Sequence, residues 1–129
     1  MAMSAYDEIV PIVDGVFIVA ADGTAQKSLT QVGFVPYRVD SIKVTSTAAA
    51  ARFLKVEFYI AGGWASIANI LIPAGSGVDG IPPVDILATQ GIAVQGGWLL
   101  TRASALAFSI SVALTGGEKI TAVVFGGFV

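Results

Sequence analysis

Two stretches of strict alternation constrain this chain more than any other feature. Over residues 53–60, Leu54, Val56, Phe58 and Ile60 fall on one side of an extended chain, and Lys55, Glu57 and Tyr59 on the other. Over residues 106–114, Leu106, Phe108, Ile110, Val112 and Leu114 alternate with Ala107, Ser109, Ser111 and Ala113. Successive side chains of a strand point to opposite faces, so a period of two marks a strand with one buried face. Each stretch runs to a Gly-Gly pair, Gly62-Gly63 and Gly116-Gly117, and an apolar segment follows, 64–72 in the first case and 119–125 in the second. Two glycines suit a type I′ turn, whose central residues both need positive φ. The sequence therefore predicts two β-hairpins. The last strand, with Ile120, Val123, Val124 and Phe125, is apolar on both faces. Such a strand needs cover on both sides, from a second sheet or from a neighbouring subunit.

Weaker signals supply the remaining elements. Residues 16–20 read as a short buried strand, Asp22-Gly23 as a turn, and 28–32 as a weaker strand. Residues 37–46 form a clearer strand, with a phase slip near Asp40 that marks a bulge. Residues 47–51 have helical propensity but are too few to hold a helix, so they read as a linker or a single turn. Residues 73–83, rich in Gly and Pro, make a long exposed loop. Short strands are expected at 84–87, 91–94 and 97–101. About eight strands without helical periodicity specify an all-β fold, an antiparallel β-sandwich or barrel. One domain spans residues 1–129, with residues 1–8 as a flexible lead-in.

Composition then removes most kinds of chemistry. The chain has no cysteine and no histidine, hence no disulfide, no thiolate metal site and no imidazole base. Its net charge is −2 and its charges are scattered, which leaves no footprint for nucleic acid. Residues 58–78 are uncharged and long enough to cross a membrane, but Gly62-Gly63, Asn69, Pro73 and Gly75-Ser76-Gly77 break any spanning helix. The first ten residues carry Asp7 and Glu8 without a basic segment, so no signal peptide is expected and the chain reads as made in the cytoplasm. Charged residues are only 12% and apolar residues 55%, so much of the exterior must be apolar. An exterior of that kind is expected to be covered in an assembly.

Single residues add little chemistry. Asp79 and Asp85 flank Gly80-Ile81-Pro82-Pro83 and read as a turn residue and a strand-start residue rather than a carboxylate pair or calcium site. Ser104, Ser109 and Ser111 have no histidine to activate them. Gly75-Ser76-Gly77 lacks the Gly-Lys-Ser/Thr ending of a phosphate loop. No catalytic, cofactor-binding or metal-ligating residue is predicted, and the chain does not read as an enzyme. Trp64 and Trp98 each follow a Gly-Gly pair; their size favours burial near the turns, and exposure would make them stacking platforms for sugar rings. Arg38, Arg52 and Arg102 are isolated and read as interface or surface pairs. Residues 122–129 end on an apolar tail that needs a groove, in this core or in a neighbour.

One longer pattern runs from Tyr59 to Gly127. It comprises the first hairpin, then Ile70-Leu71-Ile72-Pro73-Ala74-Gly75-Ser76-Gly77, then Gly80-Ile81-Pro82-Pro83-Val84-Asp85-Ile86-Leu87, and last Val112 to Gly127. This half of the chain resembles the head decoration, or cement, proteins of tailed bacteriophages; the N-terminal third departs from the pattern. The resemblance implies a jelly-roll or similar β fold, a homotrimer, and a place on the outside of the virion, clamping copies of the major capsid protein. It implies no catalytic residue. The expected contacts lie in the lead-in, the 75–83 loop and the last strand: Tyr6, Ile9, Ile81, Pro82, Pro83, Phe125, Phe128 and Val129. The alternative is a carbohydrate- or host-binding module of a phage tail or fibre, which requires Trp64 or Trp98 to be exposed beside polar groups.

Overall fold

The computed structural model describes residues 10–29, 37–60, 62–89, 98–100 and 105–128. These form nine strands: β1 (Val10–Val19), β2 (Lys27–Ser28), β3 (Tyr37–Ser46), β4 (Arg52–Ile60), β5 (Gly63–Ile72), β6 (Val84–Asp85), β7 (Trp98–Leu100), β8 (Ala105–Ile110) and β9 (Lys119–Phe128). A 3₁₀ turn, Ala20–Asp22, follows β1, and one helical turn, α1 (Ile86–Thr89), follows β6. The strands make two antiparallel sheets. Sheet A has the order β1-β9-β3, with β6 and β7 sharing the far edge of β3: β7 pairs with Tyr37–Val39 and β6 with Lys43 and Val44. Sheet B has the order β2-β8-β4-β5.

The sheets pack face to face as a β-sandwich around one apolar cluster. Sheet A contributes Val16 and Ile18, Val39, Ile42 and Val44, and Ile120, Ala122 and Val124. Sheet B contributes Leu54 and Val56, Ala68, Ile70 and Ile72, and Leu106, Phe108 and Ile110. Leu29, Ala48, Ile86, Leu87 and Leu114, on connections and on α1, are buried in the same cluster. Val39 and Ile42 both reach this core although they are three positions apart, an odd spacing that would put them on opposite faces of a regular strand. The pairing of β3 with β9 slips between Val39 and Ser41, and the extra residue, Asp40, resets which side chains point inward. This is the expected bulge.

Several expected elements differ in extent. The first strand begins at Val10 rather than at residue 16, and Phe17 and Val19 lie on its exposed side. The strand expected at 28–32 is the two-residue β2, and residues 30–36 lie outside the described residues. Residues 84–87 are half strand and half helical turn, because Ile86 and Leu87 both turn into the core and a strand would send one of them outward. The strand expected at 91–94 and the lead-in at 1–8 also lie outside the described residues.

The first hairpin is present and the second is not. β4 and β5 pair along their length, with Ile60 opposite Gly63, so the chain has reversed before Gly63 and the two glycines are not the turn centre. Gly62 has φ 83°, while Gly63 has become the first paired residue of β5. β8 and β9, in contrast, do not pair with each other: β8 lies between β2 and β4, and β9 between β1 and β3. Alternation stops being strand at Ile110, and residues 111–118 carry the chain from sheet B to sheet A, with Leu114 buried on the way. Gly-Gly marks a change of direction, not a partner. Among the described residues β4–β5 is the only hairpin.

Because most connections change sheets, they hold the sandwich together. The β3–β4 and β8–β9 connections meet at one end and share a clamp. One carboxylate oxygen of Glu118 accepts the Ala49 N–H (2.7 Å), and the other accepts the Thr115 N–H (2.9 Å) and hydroxyl (3.1 Å). The Arg52 guanidinium lies 3.9 Å from Glu118 and donates to the carbonyls of Ala50, Ala51 and Ala113. Thr47 N–H donates to the Lys119 carbonyl (2.9 Å), and Lys119 N–H to the Thr47 hydroxyl (2.8 Å). The β1–β2 connection is pinned likewise: Asp22 accepts the Val19 N–H (2.8 Å) and pairs with Lys27 (3.2 Å).

The Ala49 N–H, then the Thr115 N–H, hold the Glu118 carboxyl below the ordinary glutamate range, and Asp22 is lowered in the same sense by the Val19 N–H. A carboxyl that titrates lower in the folded state stabilises the fold above its unfolded pKa, and that contribution is lost as pH falls through the folded value. The melting temperature is therefore expected to drop on acidification below the usual carboxylate range. Glu118→Gln should melt lower than wild type at neutral pH and show a shallower acid dependence in thermal scans followed by circular dichroism. An acid limb unchanged by the substitution would remove Glu118 from the clamp.

Candidate interaction surface

The outward face of sheet A is built by the same alternation that fills the core. Register places Phe17, Thr121 and Thr45 in one cross-strand row, Gly15, Val123, Lys43 and Asp85 in the next, and Phe125 beside Ser41 beyond it. Phe17 is 56% exposed and Phe125 41%, and Val19 is also exposed. The Lys119 ammonium lies 5.0 Å from the centre of the Phe17 ring, a cation–π approach that leaves the ring largely open. Lys43 pairs with Asp85 at 3.0 Å, so the middle of the face is electrically self-satisfied. What it offers a partner is shape and apolar area.

The 73–83 loop borders this face and is firmly constructed. Ser76 is fully buried. Its hydroxyl donates to the Pro73 carbonyl (2.7 Å), and its own carbonyl accepts the Ser46 N–H at the end of β3 (2.9 Å). The Gly75 carbonyl accepts from both Val78 and Asp79, and a parallel bridge joins Ser76 to Ile81. Gly77 has φ +75°, and a Cβ there would sit 2.5 Å from Thr45 Cγ2 and 3.4 Å from Pro83 Cβ. The loop is thus pressed onto Thr45, in the row of Phe17. It projects Val78, Ile81, Pro82 and Pro83 into solvent.

Of the expected contacts, Ile81, Pro82, Pro83 and Phe125 are exposed and border one face of sheet A. Thr45 and Ser41 are four residues apart on β3, so the loop and Phe125 stand about 13 Å apart along that face. The backbone of Phe128 ends β9 between Val10 and Tyr37. Tyr6, Ile9 and Val129 lie outside the described residues. Phe17 and Val19 are additions: reading 16–20 as wholly buried concealed the alternation of Val16 and Ile18 with Phe17 and Val19. Asp85 is engaged by Lys43, and Asp79 closes the loop onto Gly75, so each serves local structure.

Sheet B carries a second apolar display. At one end of its outward face Phe53 is paired with Leu71, and at the other Tyr59 with Trp64, their rings edge to face at 5.2 Å. Trp64 is 40% exposed, which corrects the expectation that it fills the core: it is on the β5 face opposite Ala68, Ile70 and Ile72. The side chain of Trp98 lies outside the described residues. Arg38 is a surface pair, bidentate to Asp40 at 2.7 and 2.9 Å. Compared with known proteins, the chain matches no family model, and no curated protein matches it at a significant level.

Because Gly77 combines a positive φ with contact to Thr45, Gly77→Ala should destabilise the protein by about 2 kcal/mol or more, read from denaturant unfolding. Gly80→Ala, also at positive φ but with open space around it, should cost about 1–2 kcal/mol and no more. Equal costs would mean that the loop is not seated on β3.

Proposed function

We propose that this chain is a structural subunit of a virion, a decoration or cement protein that binds the assembled head lattice of a tailed bacteriophage as an oligomer. The observation that carries the reading is the face of sheet A: exposed aromatic rings bordered by a rigid apolar loop, with its central charges already paired. Such a surface suits a large protein partner better than a small polar substrate. The subunit, made in the host cytoplasm, takes its place on the capsid surface against the major capsid protein. It binds only the assembled lattice, so its binding free energy adds to the stability of the shell by mass action. Repeated attachment makes weak single contacts sufficient.

The strand orders support a finer statement about the fold, namely that the sandwich is a jelly-roll. Reading sheet A as β1-β9-β3-β6/β7 and sheet B as β2-β8-β4-β5, first and last strands are neighbours, as are second and second-last. That is the arrangement obtained when a long antiparallel ribbon is rolled into two four-wide sheets, a form common in capsid and lectin domains. The fold alone does not assign the function.

A second reading, a carbohydrate-binding module of a tail or fibre, is favoured by the exposed Trp64 ring braced by Tyr59. One experiment separates the two. Capsids lacking this chain are mixed with purified wild type, Phe17→Lys, Ile81→Asp or Trp64→Ala protein and sedimented. Wild type should co-sediment, Phe17→Lys and Ile81→Asp should bind at least tenfold more weakly, and Trp64→Ala should bind as wild type. Absence of wild-type binding, together with glycan binding lost in Trp64→Ala, would replace the first reading by the second.

A further inference from the structure

We infer that Asp79-Gly80 is a site of spontaneous covalent modification, where aspartate isomerises to isoaspartate through a succinimide. This stands independently of the decoration reading. The chemistry needs only the two residues and water. The Gly80 amide nitrogen attacks the carboxyl carbon of the Asp79 side chain, a C–N bond forms, and the amide proton leaves with the carboxyl hydroxyl as water. Water then adds back to the five-membered ring. Opening at the side-chain carbonyl restores aspartate. Opening at the main-chain carbonyl leaves the chain running through Cβ and Cγ, with the α-carboxylate as the side group. Nothing is oxidised or reduced. A following glycine favours the attack, because no Cβ shields its nitrogen.

The sequence holds three such dipeptides, Asp14-Gly15, Asp22-Gly23 and Asp79-Gly80, and the fold treats them differently. Asp14 and Gly15 lie inside β1, opposite Val124 and Val123 of β9, so the ring can close there only after the strands part. A Cβ at Gly15 would sit 2.9 Å from the Ala122 carbonyl oxygen, a measure of how closely β9 covers that position. At the second site both reacting groups are engaged. The Asp22 carboxylate accepts the Val19 N–H at 2.8 Å and the Lys27 ammonium at 3.2 Å, and the Gly23 N–H donates to the Ala20 carbonyl at 3.2 Å. The Val19 N–H foremost holds the Asp22 carboxyl below the ordinary aspartate range, which depletes the protonated form, the one with a hydroxyl to lose.

Asp79-Gly80 differs on each count. Both residues are exposed, at the tip of the turn that the Gly77 N–H closes on the Ile81 carbonyl. Asp79 is held through its backbone, its N–H donating to the Gly75 carbonyl at 3.0 Å. Its carboxylate lies over Gly75, where a Cβ would sit 2.8 Å from Oδ2, and among the described residues it meets no hydrogen-bond donor and no cation. The Gly80 N–H has no acceptor among the described residues, and the space around Gly80, at φ +77°, is open. The ring can therefore close by rotation within the tip, without parting strands or breaking an ion pair. Once formed, isoaspartate adds its Cβ to the main chain between Gly77 and Ile81. It lengthens the loop that carries Ile81, Pro82 and Pro83.

Ageing the purified full chain at neutral pH, well below its melting temperature, tests the inference. Isoaspartate is detected by methyl transfer from labelled S-adenosylmethionine with an isoaspartyl methyltransferase. It is placed by peptide mass spectrometry with an Asp-specific endoproteinase, which does not cut at isoaspartate. In the folded protein isoaspartate should accumulate at residue 79 about tenfold or more faster than at Asp14 or Asp22, which must open first. In urea, where all three aspartates have the same following residue and no fold, the three rates should converge. The Asp79→Asn protein loses ammonia instead of water, so it should gain mass at this position as acid replaces amide, faster than wild type isomerises. A folded chain that keeps Asp79 intact while the urea-unfolded chain reacts would overturn the inference. So would Asp14 or Asp22 keeping pace with Asp79 in the folded protein, or an Asp79→Asn protein whose amide survives folded and is lost only in urea.

Discussion

Burial of one face of each sheet against the other is the constraint from which the remaining structure follows. Inner rows on sheet A, from Val16 to Val124, meet inner rows on sheet B, from Leu54 to Ile110, with Phe108 the largest side chain fully enclosed. Burying a side chain of this kind stabilises by about 1.5–3 kcal/mol, so a score of them supplies most of the force opposing chain entropy. Strand geometry then dictates that every inward residue is followed by an outward one. In a chain so poor in ions, many outward residues are apolar. Phe17, Phe53, Leu71 and Phe125 are exposed for the same reason that Ile18, Leu54, Ile72 and Val124 are buried.

Hydrogen bonds determine which connections hold the two layers in register. With a single hairpin among the described residues, most of the chain crosses repeatedly between sheets, and each crossing leaves backbone groups without a ladder partner. Glu118 satisfies donors on two crossings at once, and Ser76 ties the 73–83 loop to the end of β3. These polar knots tie the loops to the strands beside them. A rigid loop loses less entropy on binding than a mobile one, which links the packing of Gly77 on Thr45 to the role proposed for Ile81, Pro82 and Pro83.

Much of this was legible in the residues themselves. Alternation identified the faces of β4 and the inner row of β8, and the phase slip at Asp40 marked a real bulge. Partnership was not legible, because alternation is a local property and pairing is decided by competition among strands far apart in sequence. Leu114 shows the limit: it keeps the period of β8 but reaches the core from a connection after the strand has ended. Glu118 and Arg52, 66 residues apart in sequence, carry no local signal of their meeting. The 73–83 loop was visible as Gly- and Pro-rich, but its seat on β3 depends on a Thr45 contact that no spacing encodes.

The central claim, that one alternating pattern builds both the core and the exposed apolar faces, is open to a direct measurement because the chain has no cysteine of its own. Single cysteines placed in turn at residues 120–125 of β9 would be treated with a thiol-alkylating reagent under native conditions. Sites at Thr121, Val123 and Phe125 should react readily, and those at Ile120, Ala122 and Val124 only on unfolding. Uniform reactivity along the strand, or the opposite phase, would contradict the account.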